Sequence, residues 1–358
     1  MKKIINLITI IFIVISIIAS SLISATAIEI EPINTTPSDL NSELYANQII
    51  FEMVEASNLY ISQLYISQGY SIQNSTQKIF FAFDNTICVG YLLVNCINSQ
   101  YYSSFTPKQL PIISNAFLND ANIAFILHED AILAITQNNI VFDFTLEQLT
   151  PFTDVTDLSF PNSMTPSAIT LKEAFIPTLD FPNETNRTTP YSIQLDVPFV
   201  GVGWSPNGTS LCWASAVCSI AAYRLNDSTP MTARQLYDAL LLAYPEDGIP
   251  RGTDIHVMNA FMYFNLNNFN LYDCGLTSTQ VYNALEAGRP IFVGMGTSDG
   301  SKGHAVALCG ISRNAINHHF YTVMDHQLQK VVCHQPTNGS FAMTIGSTTY
   351  TNWQCAVW

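Results

Sequence analysis

Positively charged side chains are scarce in this chain of 358 residues. Lysine and arginine together number 13, against 27 aspartate and glutamate residues, and the formal net charge at neutral pH is −14. A surface that holds the phosphates of a nucleic acid or of an anionic membrane needs clustered basic residues. The composition therefore predicts no nucleic-acid partner, and we interpret the acidity as a solubility feature.

The common zinc-binding patterns are also absent. No CxxC pair and no HExxH sequence occurs, and these are the usual signatures of a zinc site. Four histidines lie close together in the sequence, namely His318, His319, His326 and His334. We interpret them as surface or strand histidines rather than as a set of metal ligands. The sequence predicts neither a metal nor a cofactor.

A long unbroken apolar run occurs only at the start of the chain. Lys2 and Lys3 precede this run, and Ala25-Thr26-Ala27 closes it with the small-x-small form of a cleavage site. Residues 1–27 are predicted to be a signal peptide, and the product to be secreted and extracellular, with no stable membrane association after cleavage. The alternative is an uncleaved anchor, because the run is nearly long enough to span a bilayer.

Eight cysteines in an exported protein raise the question of disulfides. Cys88 and Cys96 are candidates for a bridge across a hairpin, whereas Cys218 and Cys309 lie in apolar surroundings that favour small buried thiols. Three further cysteines could pair among themselves: Cys274, Cys333 and Cys355. The spacing does not determine the connectivity.

The hydrophobic fraction of 48% is ample for packed cores, and the pattern divides the chain into two domains. Residues 28–150 combine a helical pattern from Leu44 to Ile66 with short strand-like runs, which predicts a small α+β domain. These runs are 78–83, 86–97, 123–128, 131–136 and 139–144. Residues 151–190 carry repeated prolines and little periodicity, so they are predicted to be a linker.

Residues 191–358 predict a second α+β domain, with helices first and an antiparallel sheet second. The segment 210–224 is apolar on nearly every side and rich in alanine and serine, which is typical of a buried central helix. Three helices are predicted to follow, each with a threonine at its start: 232–242, 253–264 and 277–287. The strands are predicted at 290–296, 304–311, 320–325, 330–334, 341–344 and 353–357.

Cys212 stands at the start of the predicted central helix. A helix N-terminus carries partial positive charge, which favours a thiolate over a thiol. The free N–H groups of the first turn, including that of Cys212, could also bind an oxyanion formed by attack on a carbonyl. The alternative is a small buried hydrophobic residue.

His304 and Asp325 complete a candidate catalytic set. His304 opens an apolar strand, where a buried imidazole needs a hydrogen-bond partner. Asp325 ends the next predicted strand, and in an antiparallel pair the end of the second strand lies beside the start of the first. The set predicts a nucleophile, a base and an orienting acid. A satisfied core histidine and a turn aspartate are the alternatives.

Three short segments resemble the active-site motifs of papain-like cysteine peptidases: Leu211–Ala214, Gly303–Ala307 and Val323–Asp325. More narrowly, the last 170 or so residues are similar to compact bacterial members, the staphopain-like and bacteriocin-leader-processing-like peptidases. The resemblance implies a papain-like fold and a cysteine endopeptidase that acts on protein or peptide substrates. It also implies Cys212 as nucleophile, His304 as general base and then acid, and Asp325 as orienting residue.

One position departs from the family pattern. Papain-like enzymes usually carry a glutamine about six residues before the cysteine, and its amide completes the oxyanion hole. This chain has Pro206 there, and Asn207 follows it. We take Asn207 as the candidate oxyanion donor, with a shorter reach than a glutamine; the alternative, Gln194, lies much further back in the sequence.

The role of the first domain and the final acceptor of the acyl group stay open. Residues 28–150 are similar in outline to the inhibitory pro-domains of streptopain-like and staphopain-like peptidases, which implies a zymogen with an intramolecular inhibitor. The alternative is an independent targeting or binding domain. The same triad would also serve an acyl-transferring enzyme or an amidase, and a catalytically idle papain-like binding or adhesion protein is a further reading.

Overall fold

A computed structural model describes most of the chain beyond the predicted signal peptide. The described residues are 37–73, 75–97, 100–119, 121–128, 131–136, 141–143, 148–150, 168–174, 189–201, 203–272, 275–314, 318–335, 342–346 and 348–357. The signal peptide and most of the predicted linker lie outside them. We call the described part of 37–174 the N-terminal unit and that of 189–357 the C-terminal unit.

The N-terminal unit begins with a long helix. Its strands follow, with one further helix between them along the chain. The helices are α1 (Pro37–Ala56) and α2 (Pro111–Leu118). The strands are β1 (Leu64–Ser67), β2 (Tyr70–Gln73), β3 (Lys78–Asp84), β4 (Ile87–Ile97), β5 (Gln100–Pro107), β6 (Ile123–His128), β7 (Ala131–Thr136), β8 (Val141–Asp143), β9 (Gln148–Thr150) and β10 (Leu171–Glu173). Strands β3, β4 and β5 pair as an antiparallel meander, whereas β2 and β6 pair in parallel.

Apart from two short strands, the C-terminal unit has its helices first and its sheet second, as the sequence predicts. Its helices are α3 (Cys212–Leu225), α4 (Ala233–Ala243), α5 (Asp254–Tyr263) and α6 (Ser278–Glu286). Its strands are β11 (Tyr191–Gln194), β12 (Asn270–Tyr272), β13 (Ile291–Gly296), β14 (Gly303–Arg313), β15 (His319–Asp325), β16 (Gln329–Gln335), β17 (Met343–Ile345), β18 (Thr348–Tyr350) and β19 (Asn352–Val357). The sheet runs in the order β12–β19–β13–β14–β15–β16, and every pair in it is antiparallel.

Helix α3 forms the centre of the C-terminal unit. Every residue from Trp213 to Ala222 is buried, and the small alanine and serine side chains let the other elements approach closely. The neighbouring helices α4 and α6 begin with capping boxes, in which Thr232 pairs with Gln235 and Thr277 with Gln280. Each box satisfies N–H groups of a first turn and so fixes where the helix begins. The predicted threonine caps of these two helices are confirmed.

The two units share one sheet and part of one hydrophobic core. Strand β5 of the N-terminal unit pairs with β16 of the C-terminal unit, and Phe105 lies opposite Val332. Both residues are fully buried in a cluster that also contains Phe320 and side chains of α1, β3 and β4. The edge of the C-terminal sheet at β16 is therefore covered by the N-terminal unit.

Three local differences from the predicted elements have identifiable causes. The first helix ends at Ala56 rather than at Ile66, because Asn58 adopts a left-handed conformation with φ of 59° that breaks the helix. Leu64–Ser67 is instead strand β1. Within the predicted linker, Leu171–Glu173 forms strand β10, which pairs with β1.

The predicted bridge between Cys88 and Cys96 is wrong. Both are free and lie on the single strand β4, where eight residues of extended chain span about 26 Å. A disulfide requires Cα atoms within about 7 Å of each other. Cys333 is also free, whereas Cys274 and Cys355 lie outside the residues whose side chains are described.

Within the described ranges, none of the helices combines the length and the apolar character needed to cross a bilayer.

Substitution of Phe105 tests the shared core. We expect Phe105→Ala to lower the free energy of unfolding by about 3–5 kcal/mol, because a large buried side chain between the units is replaced by a cavity. Tyr60, which is 95% exposed, gives the matched control. Its replacement by alanine should change the free energy by about 0.5 kcal/mol or less. Urea unfolding curves measure both, and equal effects would contradict a shared core.

Candidate active site

Cys212 is the first residue of α3 and is only partly buried. Leu211 precedes it and offers no side-chain cap to the helix. The N–H groups of the first turn thus keep their partial positive charge at the end where the thiol lies. The position matches the one that the sequence predicts.

The surroundings of Cys212 favour its thiolate. Burial raises the pKa of the thiol, but a hydrogen bond and the charge of His304 outweigh it, helped by backbone groups of Ala305 and Trp213. The net pKa of Cys212 is lowered from the ordinary value of a thiol. A lowered pKa places more thiolate at neutral pH, and the thiolate is the nucleophilic form.

The ring of His304 interacts with both Asp325 and Cys212. His304 is the second residue of β14 and Asp325 the last of β15, and the antiparallel pairing of these strands brings the two side chains together. His304 Nε2 lies 2.6 Å from Asp325 Oδ2. Since Nε2 faces the carboxylate, Nδ1 is the ring nitrogen left for the Cys212 thiol.

Hydrogen bonds at both carboxylate oxygens hold the Asp325 side chain in place. Oδ1 accepts hydrogen bonds from the backbone N–H groups of Gln327 and Leu328 at 2.9 and 2.7 Å, while Oδ2 faces His304. Burial raises the pKa of the Asp325 carboxyl, but His304 and His326 more than compensate, and the net pKa is well below its usual range. The acid is therefore a buried, fully oriented carboxylate.

The same interactions keep His304 protonated. Burial lowers the pKa of the imidazole, but the hydrogen bonds and charges of Asp325 and Cys212 raise it to about 10. The side chain is only 10% exposed. The lowered pKa of Cys212 and the raised pKa of His304 both favour a thiolate–imidazolium ion pair, the arrangement suited to nucleophilic attack by cysteine.

Two rings that were not predicted to belong to the site flank His304. The centroid of the Tyr350 ring lies 5.4 Å from that of His304 and is nearly parallel to it, and the centroid of His326 lies 5.0 Å away at a tilt of 47°. His326 directly follows Asp325, so its adjacency to the acid was a usable signal. Tyr350 lies on the short strand β18, and nothing in the sequence links it to His304.

His304, Asp325 and His326 offer nitrogen and oxygen atoms within 4.8 Å of one another, a spacing that could hold a metal ion. Asp325 is only 1% exposed and is already bonded to His304 and to two backbone N–H groups. A metal would have to displace the hydrogen bond between His304 and Asp325. The His304 and Asp325 atoms of this set are thus already used in hydrogen bonds.

Asn207, the predicted oxyanion donor, lies in an exposed turn before α3. Its side-chain oxygen accepts a hydrogen bond from the Ser205 hydroxyl, and backbone bonds among Ser205, Gly208 and Thr209 close the turn. The amide nitrogen of Asn207 is the group that would donate to an oxyanion. The role of Asn207 stays a prediction.

The other described buried cysteines contrast with Cys212. Burial raises the pKa of Cys218 and of Cys309 to about 12, and it raises the pKa of Cys88 and Cys333 further. Burial without a cationic partner disfavours the thiolate. The predicted role of Cys218 and Cys309 as small buried side chains agrees with this environment.

Part of the chain matches a known protein family. Residues 191–345 match the family model described as papain-like cysteine protease AvrRpt2, and the matched range contains Cys212, His304 and Asp325. This confirms the resemblance of the C-terminal half to papain-like cysteine peptidases. In a search of curated protein sequences, no match is significant.

Alkylation by iodoacetamide tests the ion pair. We expect Cys212 to react at a pH below the range of an ordinary thiol, because its pKa is lowered. In His304→Ala nothing offsets the effect of burial on the thiol, so the pKa of Cys212 should rise. The rate of alkylation at neutral pH should then fall about tenfold or more. Peptide mapping by mass spectrometry measures both.

Cys96 is exposed, so the experiment is done in a Cys96→Ser background. Modification of Cys218 or Cys309 at the rate of Cys212 would contradict the assignment.

Proposed function

We propose that the C-terminal half, papain-like by its family match, is a cysteine endopeptidase with Cys212 as nucleophile and His304 as base. The observation that carries the proposal is the buried contact of His304 with Asp325 at 2.6 Å, on a ring whose charge also lowers the pKa of Cys212. A structural cysteine and a structural histidine have no need of this arrangement. The arrangement favours the charged forms of three ionisable groups despite their burial, which is expected at a functional site.

The first half of the reaction forms a thioester. Cys212 Sγ attacks the carbonyl carbon of the scissile bond, and the carbonyl oxygen becomes an oxyanion near the start of α3. The backbone N–H of Cys212 and the side-chain amide of Asn207 are the proposed donors to it. The imidazolium of His304 then gives its proton to the leaving nitrogen, the C–N bond breaks, and the amine departs.

The second half releases the acyl group. His304, now neutral, takes a proton from water, and the oxygen of that water attacks the thioester carbonyl. The C–S bond breaks, the peptide leaves as a carboxylic acid that loses its proton to water, and the proton on His304 restores the ion pair with the Cys212 thiolate. Asp325 holds Nε2 throughout and stabilises the imidazolium form, without itself taking up the proton.

Two other readings use the same site. An acyl-transferring enzyme or an amidase would form the same thioester and differ only in what accepts or donates the acyl group. An idle binding or adhesion protein would have no reason to keep an oriented carboxylate, a protonated base and a thiol of lowered pKa together. We therefore favour an enzyme, and among enzymes a peptidase.

Hydrolysis of an unfolded protein in ¹⁸O water tests the proposal. We expect cleavage of casein, with one ¹⁸O in each new carboxylate, because water is the final acceptor. Cys212→Ala should lose at least a thousandfold in rate, whereas Cys218→Ala, a buried small change on the same helix, should keep the activity. Cleavage that persists in Cys212→Ala would overturn the proposal, and new peptide bonds without ¹⁸O would indicate a transferase.

The proposal includes export and synthesis as a zymogen. Residues 1–27 would direct secretion, and a cut within 151–190 would relieve inhibition by the N-terminal domain. Because the two units pair through β5 and β16, such a cut would relieve the inhibition without separating the units.

Processing of the full-length protein tests the zymogen. We expect peptidase activity to rise as the chain is cut within 151–190, with mass spectrometry following the cut and a fluorogenic peptide the activity. The purified Cys212→Ala protein, mixed with active protein, shows whether the cut is made in trans. Full activity of the uncut chain would contradict an inhibitory role and favour a targeting or binding domain.

A further inference from the structure

Tyr350 is built into a short hairpin beside His304. It is the last residue of β18, which pairs with β17, and its side chain is 8% exposed. The ring lies nearly parallel to the imidazole, with an interplanar angle of 22°. Stacked aromatic pairs at this separation prefer a defined orientation. With His326 also packed against the imidazole, rotation of His304 about its own axis is restricted.

The hairpin that carries Tyr350 is bonded to the N-terminal unit by buried polar side chains. Asn95 of β4 donates from Nδ2 to Thr349 Oγ1 at 3.1 Å, and its Oδ1 accepts from Thr76 at 3.0 Å. Thr349 Oγ1 also lies 3.0 Å from the hydroxyl of Thr344. Asn95 is 6% exposed and Thr344 is 1% exposed.

Breaking these bonds would leave the amide of Asn95 buried without partners, which is costly because water cannot replace the lost hydrogen bonds. Asn95 has its oxygen and its nitrogen both bonded, one to its own unit and one to the hairpin. Thr349 directly precedes Tyr350 on the strand. A residue of the N-terminal unit is thus bonded to the immediate neighbour of Tyr350.

We propose that Tyr350 is a positioning residue for His304 and that Asn95 of the N-terminal unit holds Tyr350 in place through Thr349. The inference rests on the proposed function of Cys212 and His304. It assigns the N-terminal unit a supporting role, whether or not the segment 151–190 is cut, because folded strands make the contacts.

The chemical consequence concerns Nδ1 of His304. Nε2 is held by Asp325, and the plane of the ring decides how well Nδ1 points at the Cys212 thiol. A ring that tilts weakens the hydrogen bond that lowers the pKa of Cys212. Loss of Tyr350 should therefore slow the chemical step and leave substrate binding unchanged.

The rate of Cys212 alkylation against pH tests the inference, with kcat and KM for a peptide as the second readout. We expect Tyr350→Ala to lower the alkylation rate at neutral pH and kcat about tenfold, with KM unchanged. The pH midpoint of alkylation should move up towards that of an ordinary thiol. Tyr350→Phe, which keeps the ring, should recover most of the rate.

The bonds to the N-terminal unit are tested by Asn95→Leu and Thr349→Val, which remove polar groups at similar size. Each should lower the alkylation rate about threefold, and the double variant should be no slower than either one, because both interrupt the same interaction. Thr348→Val is the matched control, since it is the same change on the opposite face of β18. It should keep the wild-type rate.

Each outcome decides one of the two proposals. Slow alkylation of Cys212 in the wild-type protein, with the pH midpoint of an ordinary thiol, would overturn the proposed function. Fast alkylation in the wild type that Asn95→Leu and Thr349→Val leave unchanged would overturn the inference alone. Losses that multiply in the double variant would also overturn it. Circular dichroism confirms folding, and if Tyr350→Ala does not fold, the Asn95 and Thr349 variants decide.

Discussion

The hydrogen bond between His304 and Asp325 is the interaction on which the site depends. Both side chains are almost excluded from solvent, and burying either charge alone would cost several kcal/mol. Together they compensate each other, and the backbone N–H groups of Gln327 and Leu328 satisfy the remaining oxygen. A pair of this kind is stable only where the chain fixes both partners. The turn after β15 therefore has to be as well ordered as the strands.

The fold supplies that order from two directions. Helix α3 places Cys212 at its N-terminus from one side, and the antiparallel pair β14 and β15 places His304 and Asp325 from the other. Each element is rigid because its packing face is buried, so the three groups meet without the help of flexible loops. The charges also reinforce one another: the carboxylate raises the pKa of the imidazole, and the imidazolium lowers that of the thiol.

Many elements of the C-terminal unit could be predicted from local patterns in the sequence. The buried helix at Cys212, the capped helices at Thr232 and Thr277, and the strands at His304 and Asp325 depend on neighbours within a few residues. The pairing of β5 with β16 and the stacking of Tyr350 on His304 join residues far apart in the chain. No spacing or periodicity encodes such contacts, so they could not be predicted. The exposed turn at Asn207 was predictable as a turn, but not in its hydrogen bonds.

Strand β16 bears on the solubility of the separated C-terminal unit. Its central residues Val331, Val332 and Cys333 are apolar, and without β5 the strand would present unpaired N–H and C=O groups along an open margin of the sheet. Such margins recruit strands from other molecules. The N-terminal unit thus acts as a built-in partner that covers this strand at Val332 and Cys333. A cell that exported the C-terminal unit by itself would release a protein prone to self-association.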